Sequence, residues 1–167
     1  RYTRGGPIRH GAHGDPASVP FLVSHRLSVA AGGELLAYTA YWRKRPSLKN
    51  LAMASVSSPE EREEAKALGF RTFRTKAPFE HVLPGESGCP ADRTQYPNSK
   101  TTCLVCVKCT KGSAHPIWSG GHPKGDQVVN AHGKSAKAFI EWRRSQLAKE
   151  ASDVQSASYK LVEAAGR

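Results

Sequence analysis

Short apolar runs alternate with segments of helical periodicity along most of this chain. Each run has the length of one buried strand. The runs lie at 7–10, 35–39, 51–56, 70–74 and 126–131, and a further strand is expected just before Cys89. The first strand leaves through a glycine-containing loop that ends at Asp15. This pattern predicts a series of short strands joined by other elements.

Capping residues and helical spacing predict one helix after the first strand and another after the third. The first helix has Asp15 as its N-cap and Pro16 at its first position, where a missing N–H costs nothing. Its apolar face consists of Val19, Leu22, Val23, Leu27 and Ala30. The second helix opens with the capping box Ser58-Pro-Glu-Glu61 and stops at Gly69.

Alternating strands and helices predict an α/β protein with right-handed βα connections and a parallel sheet. We expect short βα repeats that form a partial, open parallel barrel or sheet over residues 1–133. Within it, residues 85–125 form an irregular metal-binding cysteine loop, and 134–167 form a helical C-terminal tail in two stretches. In folds of this kind, functional residues lie at the carboxyl ends of the strands.

Polar residues follow several of these strand ends and are the candidates for a shared pocket. We expect His13, Asp15, Ser55, Arg74 and His132 on one face, beside the cysteine loop. His13, Asp15, Arg74 and His132 are the candidate catalytic residues. Structural explanations also exist, because Asp15 caps a helix without any substrate and each histidine lies in an Ala-His-Gly turn that exposes its side chain.

The cysteines of the chain are Cys89, Cys103, Cys106 and Cys109, spaced C-x13-C-x2-C-x2-C. Two intervening residues let neighbouring sulfurs turn towards one ion, and four thiolates complete a zinc site or hold an iron–sulfur cluster. Disulfides are the alternative, but the last three cysteines are poorly placed to pair with one another. The chain is also long enough to form a core without them. The spacing therefore predicts one metal or cluster bound by all four.

The chain is strongly basic, with a net charge of +11 and a pI near 9.8. A positive field attracts a phosphate-bearing partner such as nucleic acid, although lysines near the thiolates also offset the charge of a bound ion. The candidate nucleic-acid contacts are Trp42, Arg43, Lys44 and Arg45, with the indole stacking on a base and the cations holding phosphates. The alternative is an aromatic strand end packed against basic side chains.

No apolar run approaches the roughly 20 residues that span a bilayer, and no leader-type segment opens the chain. Clustered thiols are typical of a reducing compartment, so we expect a soluble cytoplasmic protein without a membrane partner. The chain starts with Arg1, and a strand follows almost at once. These features predict the C-terminal part of a longer protein, while the oligomeric state does not follow from the sequence.

Several short sequence motifs, in order over residues 5–133, together resemble those of an uncharacterised cysteine-rich family of phage, plasmid and bacterial proteins. These motifs lie at 8–20, 38–43, 53–74, 83–91, 103–109 and 131–133. Longer members carry an upstream cysteine-rich segment, which agrees with a truncated chain. Two positions depart from the family pattern, since His13 stands in place of Tyr and Ala40 in place of His. The second departure argues against a catalytic role for that strand end.

The family is similar in architecture to radical-SAM partial barrels, which hold a [4Fe–4S] cluster at the strand ends, but the Cys-x3-Cys-x2-Cys triplet is absent here. One hypothesis is an iron–sulfur redox or radical-type enzyme subdomain with a 4Fe-4S cluster on the four cysteines. The other is a zinc-stabilised, basic protein that binds nucleic acid. The ferredoxin-like Cys-x2-Cys-x2-Cys run favours the first hypothesis, and the net charge favours the second.

Overall fold

The computed structural model describes residues 8–11, 13–32, 35–101 and 125–165, with side chains as far as 158. The strands are β1 (Ile8–His10), β2 (Leu35–Thr39), β3 (Met53–Val56), β4 (Thr72–Lys76), β5 (Glu86–Gly88) and β6 (Asp126–Asn130). The helices are α1 (Phe21–Ala30), α2 (Pro59–Ala67) and α3 (Ala136–Ala165), and short 3-10 turns lie at Pro16–Ser18 and Pro46–Asn50.

The six strands form one open sheet in the order β1-β2-β3-β4-β6-β5. Every neighbouring pair is parallel. The predicted α/β class with a parallel sheet is therefore confirmed. The strand expected just before Cys89 is β5, which ends at Gly88. Most of the predicted cysteine loop, from 102 to 124, lies outside the described residues.

The chain divides into two compact units. The first comprises 1–76 and 80–130 and contains the sheet with α1 and α2. The second comprises 77–79 and 131–167 and contains α3. Instead of the two helical stretches predicted for the tail, α3 is one continuous helix of 30 residues.

The first helix starts later than its cap predicts. Asp15 does act as an N-cap, since its Oδ1 accepts a hydrogen bond of 2.8 Å from the Ala17 N–H, but it caps only the 3-10 turn. Val19 then leaves the helical region (φ −98°, ψ 139°) because it precedes Pro20, and a residue before proline disfavours the α conformation. As a result, α1 begins at Phe21.

The second helix is capped as the sequence predicts. The Ser58 hydroxyl accepts a hydrogen bond of 3.2 Å from the Glu61 N–H, and the Glu61 carboxylate in turn accepts one of 2.8 Å from Ser57 N–H. Gly69 ends the turn after α2 with a φ of +83°, a left-handed conformation that glycine adopts without strain. The helix buries Arg62 and Ala65.

The apolar core of the first unit lies between the sheet and its helices. It combines alternate residues of β2 and β3 with residues from α2 and the loops, namely Leu35, Ala37, Ala54, Val56, Trp42, Leu48, Ala65 and Phe70. Leu36 and Met53 alternate with these strand residues and therefore point to the opposite face, where they pack with Tyr38 and Phe73.

The cap of α2 provides a first test of this fold. Ser58→Ala should lower the free energy of unfolding by about 1 kcal/mol, because one N–H of the first turn loses its acceptor. Ser58→Asp keeps an acceptor there and should stay close to the wild type. Urea unfolding of the full chain measures both variants, and equal midpoints for Ser58→Ala and the wild type would contradict the assigned cap.

Candidate functional site

Cys89 follows β5 directly, at the carboxyl edge of the sheet. It is buried, and its N–H donates a hydrogen bond of 2.9 Å to the Val128 carbonyl of β6. The backbone ladder between β5 and β6 thus continues to the cysteine itself. Cys103, Cys106 and Cys109 lie outside the described residues. Of the predicted ligand set, the structure therefore positions one member.

Asp92 organises the chain that leaves Cys89. Its buried carboxylate accepts hydrogen bonds from the N–H and the hydroxyl of Thr94 (2.9 and 2.6 Å) and from the Gln95 side chain (2.7 Å). It accepts a fourth, of 2.8 Å, from the Asn130 N–H at the end of β6. Although burial raises the pKa of Asp92, these hydrogen bonds outweigh it and hold the pKa below its ordinary value.

The 13-residue spacer between the first two cysteines folds back on itself. The Ser99 hydroxyl donates a hydrogen bond of 2.6 Å to the Pro90 carbonyl, and Thr101 N–H donates one of 3.2 Å to the same hydroxyl oxygen. Ser99 therefore lies beside the residue that follows Cys89. Cys103 comes four positions after Ser99 in sequence, a reach of at most about 14 Å. The spacer does not force the first cysteine away from the other three.

Lys76 lies at the carboxyl end of β4, on the same edge of the sheet. It pairs in register with Asn130, and its ammonium donates a hydrogen bond of 2.9 Å to the Glu80 carbonyl. Burial lowers the pKa of Lys76, and the charge of Arg74 lowers it further. The sequence predictions included neither Lys76 nor Asp92. Lys76 could have been found from the alternation of Thr72, Arg74 and Lys76 along one strand. Asp92 could have been found from the turn sequence Asp-Arg-Thr at 92–94.

Asp15 joins the loop after β1 to the end of β2. Beyond its capping bond, its carboxylate accepts hydrogen bonds of 2.7 Å from the Thr39 hydroxyl and 2.7 Å from the Ala40 N–H. These bonds occupy both oxygens with protein groups, which is the arrangement of a structural tie. Nearby, His10 Nε2 lies 3.0 Å from the Ser24 hydroxyl, and burial lowers the pKa of His10. His13 is exposed.

Arg74 lies inside β4 rather than at its end, because the strand runs two residues further than the sequence predicts. Its side chain is 1% exposed and binds the fully buried Glu86 carboxylate through Nε (2.7 Å) and Nη2 (2.8 Å). Nη2 also donates to the His81 carbonyl at 2.9 Å. The guanidinium is therefore committed to a buried ion pair.

A second buried arginine joins this pair. Arg62 of α2 lies 3.6 Å from Glu86 and donates to the Asp126 carboxylate at 2.8 Å and to the Pro84 carbonyl at 3.0 Å. Asp126 in turn accepts a hydrogen bond of 2.9 Å from Thr72 N–H. The network thus connects α2 with β4, β5 and β6.

Of the remaining pocket candidates, Ser55 does not join Arg74. In the register of β3 and β4, Val56 pairs with Arg74 and Ser55 with Phe73, so Ser55 lies on the opposite face of the sheet. His132 belongs to the second unit, two residues beyond the end of β6. The structure therefore does not group Ser55 with Arg74, and the shared pocket stays a prediction for the other residues.

Two of the four candidate nucleic-acid contacts have other partners in the structure. Trp42 is buried, and its indole N–H donates to the Ser55 carbonyl at 3.2 Å. The Arg43 guanidinium lies 4.1 Å from the centre of the Trp42 ring and pairs with Glu64 (2.6 Å) and Glu61 (3.3 Å). Lys44 and Arg45 are exposed. The arrangement fits the alternative of an aromatic residue packed against a basic side chain.

Within the described ranges, no three His, Cys, Asp or Glu side chains group as a metal site requires. Among the helices that the structure describes, none has the length and apolar character to cross a membrane. Comparison of the chain with protein-family models, curated proteins and solved structures found no match. The resemblance to the phage-type family stays a prediction.

The Arg74–Glu86 pair provides a test of the buried network. Glu86→Gln should lower the free energy of unfolding by about 3 kcal/mol, because the buried Arg74 then loses its closest counter-ion and keeps only Glu80 at 3.9 Å. Glu64→Gln makes the same chemical change in the exposed pair with Arg43 and should change stability little. Urea unfolding compares the two variants, and equal losses in the free energy of unfolding would show that the buried pair stabilises the fold no more than the exposed one.

Proposed function

We propose that this protein is a cysteine-ligated metalloprotein in which Cys89, Cys103, Cys106 and Cys109 hold one iron–sulfur cluster of the 4Fe-4S type. The observation that supports it best is the position of Cys89, which is buried at the carboxyl edge of a parallel sheet. The spacer that follows Cys89 folds back, so that Ser99 lies beside Pro90. Ligands and cofactors of α/β sheets bind at that edge.

The spacing of the cysteines favours a cluster over zinc. Structural zinc sites usually draw their ligands from two separated pairs, whereas Cys-x2-Cys-x2-Cys is the run found in ferredoxin-type cluster loops. A remote fourth cysteine completes such a set, and Cys89 fills that role in this chain. When bound, the cluster supplies one-electron chemistry, so we place the protein in the redox or radical-type class of enzyme subdomains.

The chain's own charges suit a site of this kind. Thiolate ligands must be deprotonated, and their negative charge needs compensation. Between Asp92 and Asp126 the chain has no acidic residue, and the basic residues there are Arg93, Lys100, Lys108, Lys111 and Lys124. This local excess of positive charge offsets the charge of four thiolates, and it accounts for part of the net +11 without nucleic acid.

The zinc-stabilised, nucleic-acid-binding alternative draws less support. It rests on the net charge and on the basic run after β2. In that run, Trp42 is buried, so its indole is not available to stack on a base, and Arg43 would have to exchange two glutamates for a phosphate. Charge alone says little about specific partners.

Anaerobic purification with metal analysis, sulfide analysis and an absorption spectrum tests the proposal. We expect brown protein with about four iron and four sulfide per chain, the composition of one such cluster. Cys106→Ser should lose the iron and become protease-sensitive between Cys89 and Gly125, because binding energy at such a site is folding energy. Thr110→Ser, a conservative change in the same segment, serves as the control. Colourless protein with one zinc would replace the cluster by the structural alternative, and metal-free protein with titratable thiols would refute both.

Asp92 provides a separate test of how the site is held. Asp92→Asn replaces one accepting oxygen by an amide N–H₂, which then faces either the Thr94 N–H or both Gln95 Nε2 and the Asn130 N–H. Because these groups are themselves donors, the spacer loses at least one anchor. We expect the variant to release iron to a chelator roughly tenfold faster, from the loss of about 1.4 kcal/mol in site stability. Asn98→Ala, an exposed change in the same spacer, should release iron at the wild-type rate. Equal rates for Asp92→Asn and the wild type would contradict a positioning role for Asp92.

A further inference from the structure

Residues 147–158 of α3 expose an apolar stripe, whose spacing continues in the sequence to Leu161. Every side chain from Leu147 to Ser158 is exposed. Val154 is 68% exposed, and Leu147 is 36% exposed. Helices in proteins draw most of their stability from packing an apolar face, so a face of this length calls for a partner.

The spacing of the stripe identifies a helix as the partner. Its members are Leu147, Ala151, Val154, Ala157 and Leu161, which follow one another at steps of four, three, three and four. These steps keep all five positions on one face, and Leu147, Val154 and Leu161 recur every seven residues, the repeat of a coiled coil. Alanine at two of the five positions allows a second helix to approach closely.

The stripe also has the same pattern in both chain directions. Around Val154 as its centre, alanines lie three positions away on each side and leucines seven positions away on each side. A two-fold axis beside Val154 therefore places the position of Leu147 in one helix against that of Leu161 in an antiparallel helix, and Ala151 against Ala157. Such self-complementarity is the requirement for a symmetric pair of identical chains.

Charge selects the antiparallel direction. Glu150 lies on the face of the stripe, seven residues before Ala157, and its carboxylate is 3.5 Å from Arg143 of the same helix. A parallel pair would place Glu150 opposite Glu150 of the second copy, which is repulsive. The antiparallel pair places Glu150 opposite Ser158, a neutral polar side chain on the same face.

We propose that the stripe at 147–161 of α3 is a dimerisation surface, on which a second copy of this chain packs its own α3 in the antiparallel direction around Val154. The full chain, purified with its metal, should then have twice the 18.1 kDa mass of one chain in solution.

A single charge on the stripe tests the surface. Val154→Asp should reduce the mass measured by light scattering to that of one chain, since it places two like charges beside the two-fold axis. Ser156→Asp introduces the same charge on the opposite face of the helix and should remain a dimer. A one-chain mass for the wild type, or a dimeric Val154→Asp variant, would overturn the proposal.

A charge swap tests the direction. Leu147→Lys and Leu161→Glu should each reduce the dimer to one chain. The double variant should recover the dimer, because the new ammonium at position 147 then faces the new carboxylate at position 161 of the second copy. In a parallel pair the double variant would instead place like charges opposite each other at positions 147 and 161. A double variant that stays monomeric, beside a dimeric wild type, would overturn the antiparallel arrangement. Hydrogen exchange of the sheet amides, which belong to the other unit, reports whether each variant is folded.

Discussion

The ion pair between Arg74 and Glu86 secures the edge of the sheet from which Cys89 emerges. Arg74 belongs to β4 and Glu86 to β5, and β6 lies between them, so the pair bridges strands that are not neighbours. Val128 of β6 pairs in register with Arg74 on one side and with Gly88 on the other. Because β5 has only three residues, its backbone ladder alone is a weak attachment. The buried side-chain bonds supply the rest.

The face of the sheet that carries Arg74 and Glu86 is apolar over β2 and β3 and ionic over β4 to β6. One helix serves both parts, since Ala65 of α2 belongs to the apolar cluster and Arg62 to the ionic network. Buried charges carry a desolvation cost, and a hydrophobic replacement is often equally stable. The contribution of the network is instead to fix the position of β5 along β6. A shift of β5 along β6 would move Glu86 away from Arg74 and leave its carboxylate charged and unpaired in the interior. We therefore infer that the ionic half fixes the register of this short edge strand.

Local signals in the sequence predicted much of the fold. The alternation of strands and helices, the Ser58 cap, the Asp15 cap and the strand before Cys89 all depend on residues within a few positions of one another. The start of α1 was missed because Pro20 acts on Val19, a constraint that outweighs apolar spacing. The role of Arg74 was missed because its partner Glu86 is 12 positions away and on another strand. Periodicity cannot pair residues across a sheet.

The proposed cluster and the edge strand depend on each other. Cys89 continues the β5–β6 ladder through Val128, and Asp92 attaches the spacer to the end of β6 at Asn130. If the proposed cluster is bound, energy released at Cys89 would stabilise β5 and β6 directly, whereas the core of β2 and β3 is held by apolar contacts that need no ligand. Local opening follows the weakest contacts in a structure. On this reasoning, loss of the ligand would loosen the ionic half of the sheet first, and the buried ion pairs would decide how far the opening spreads.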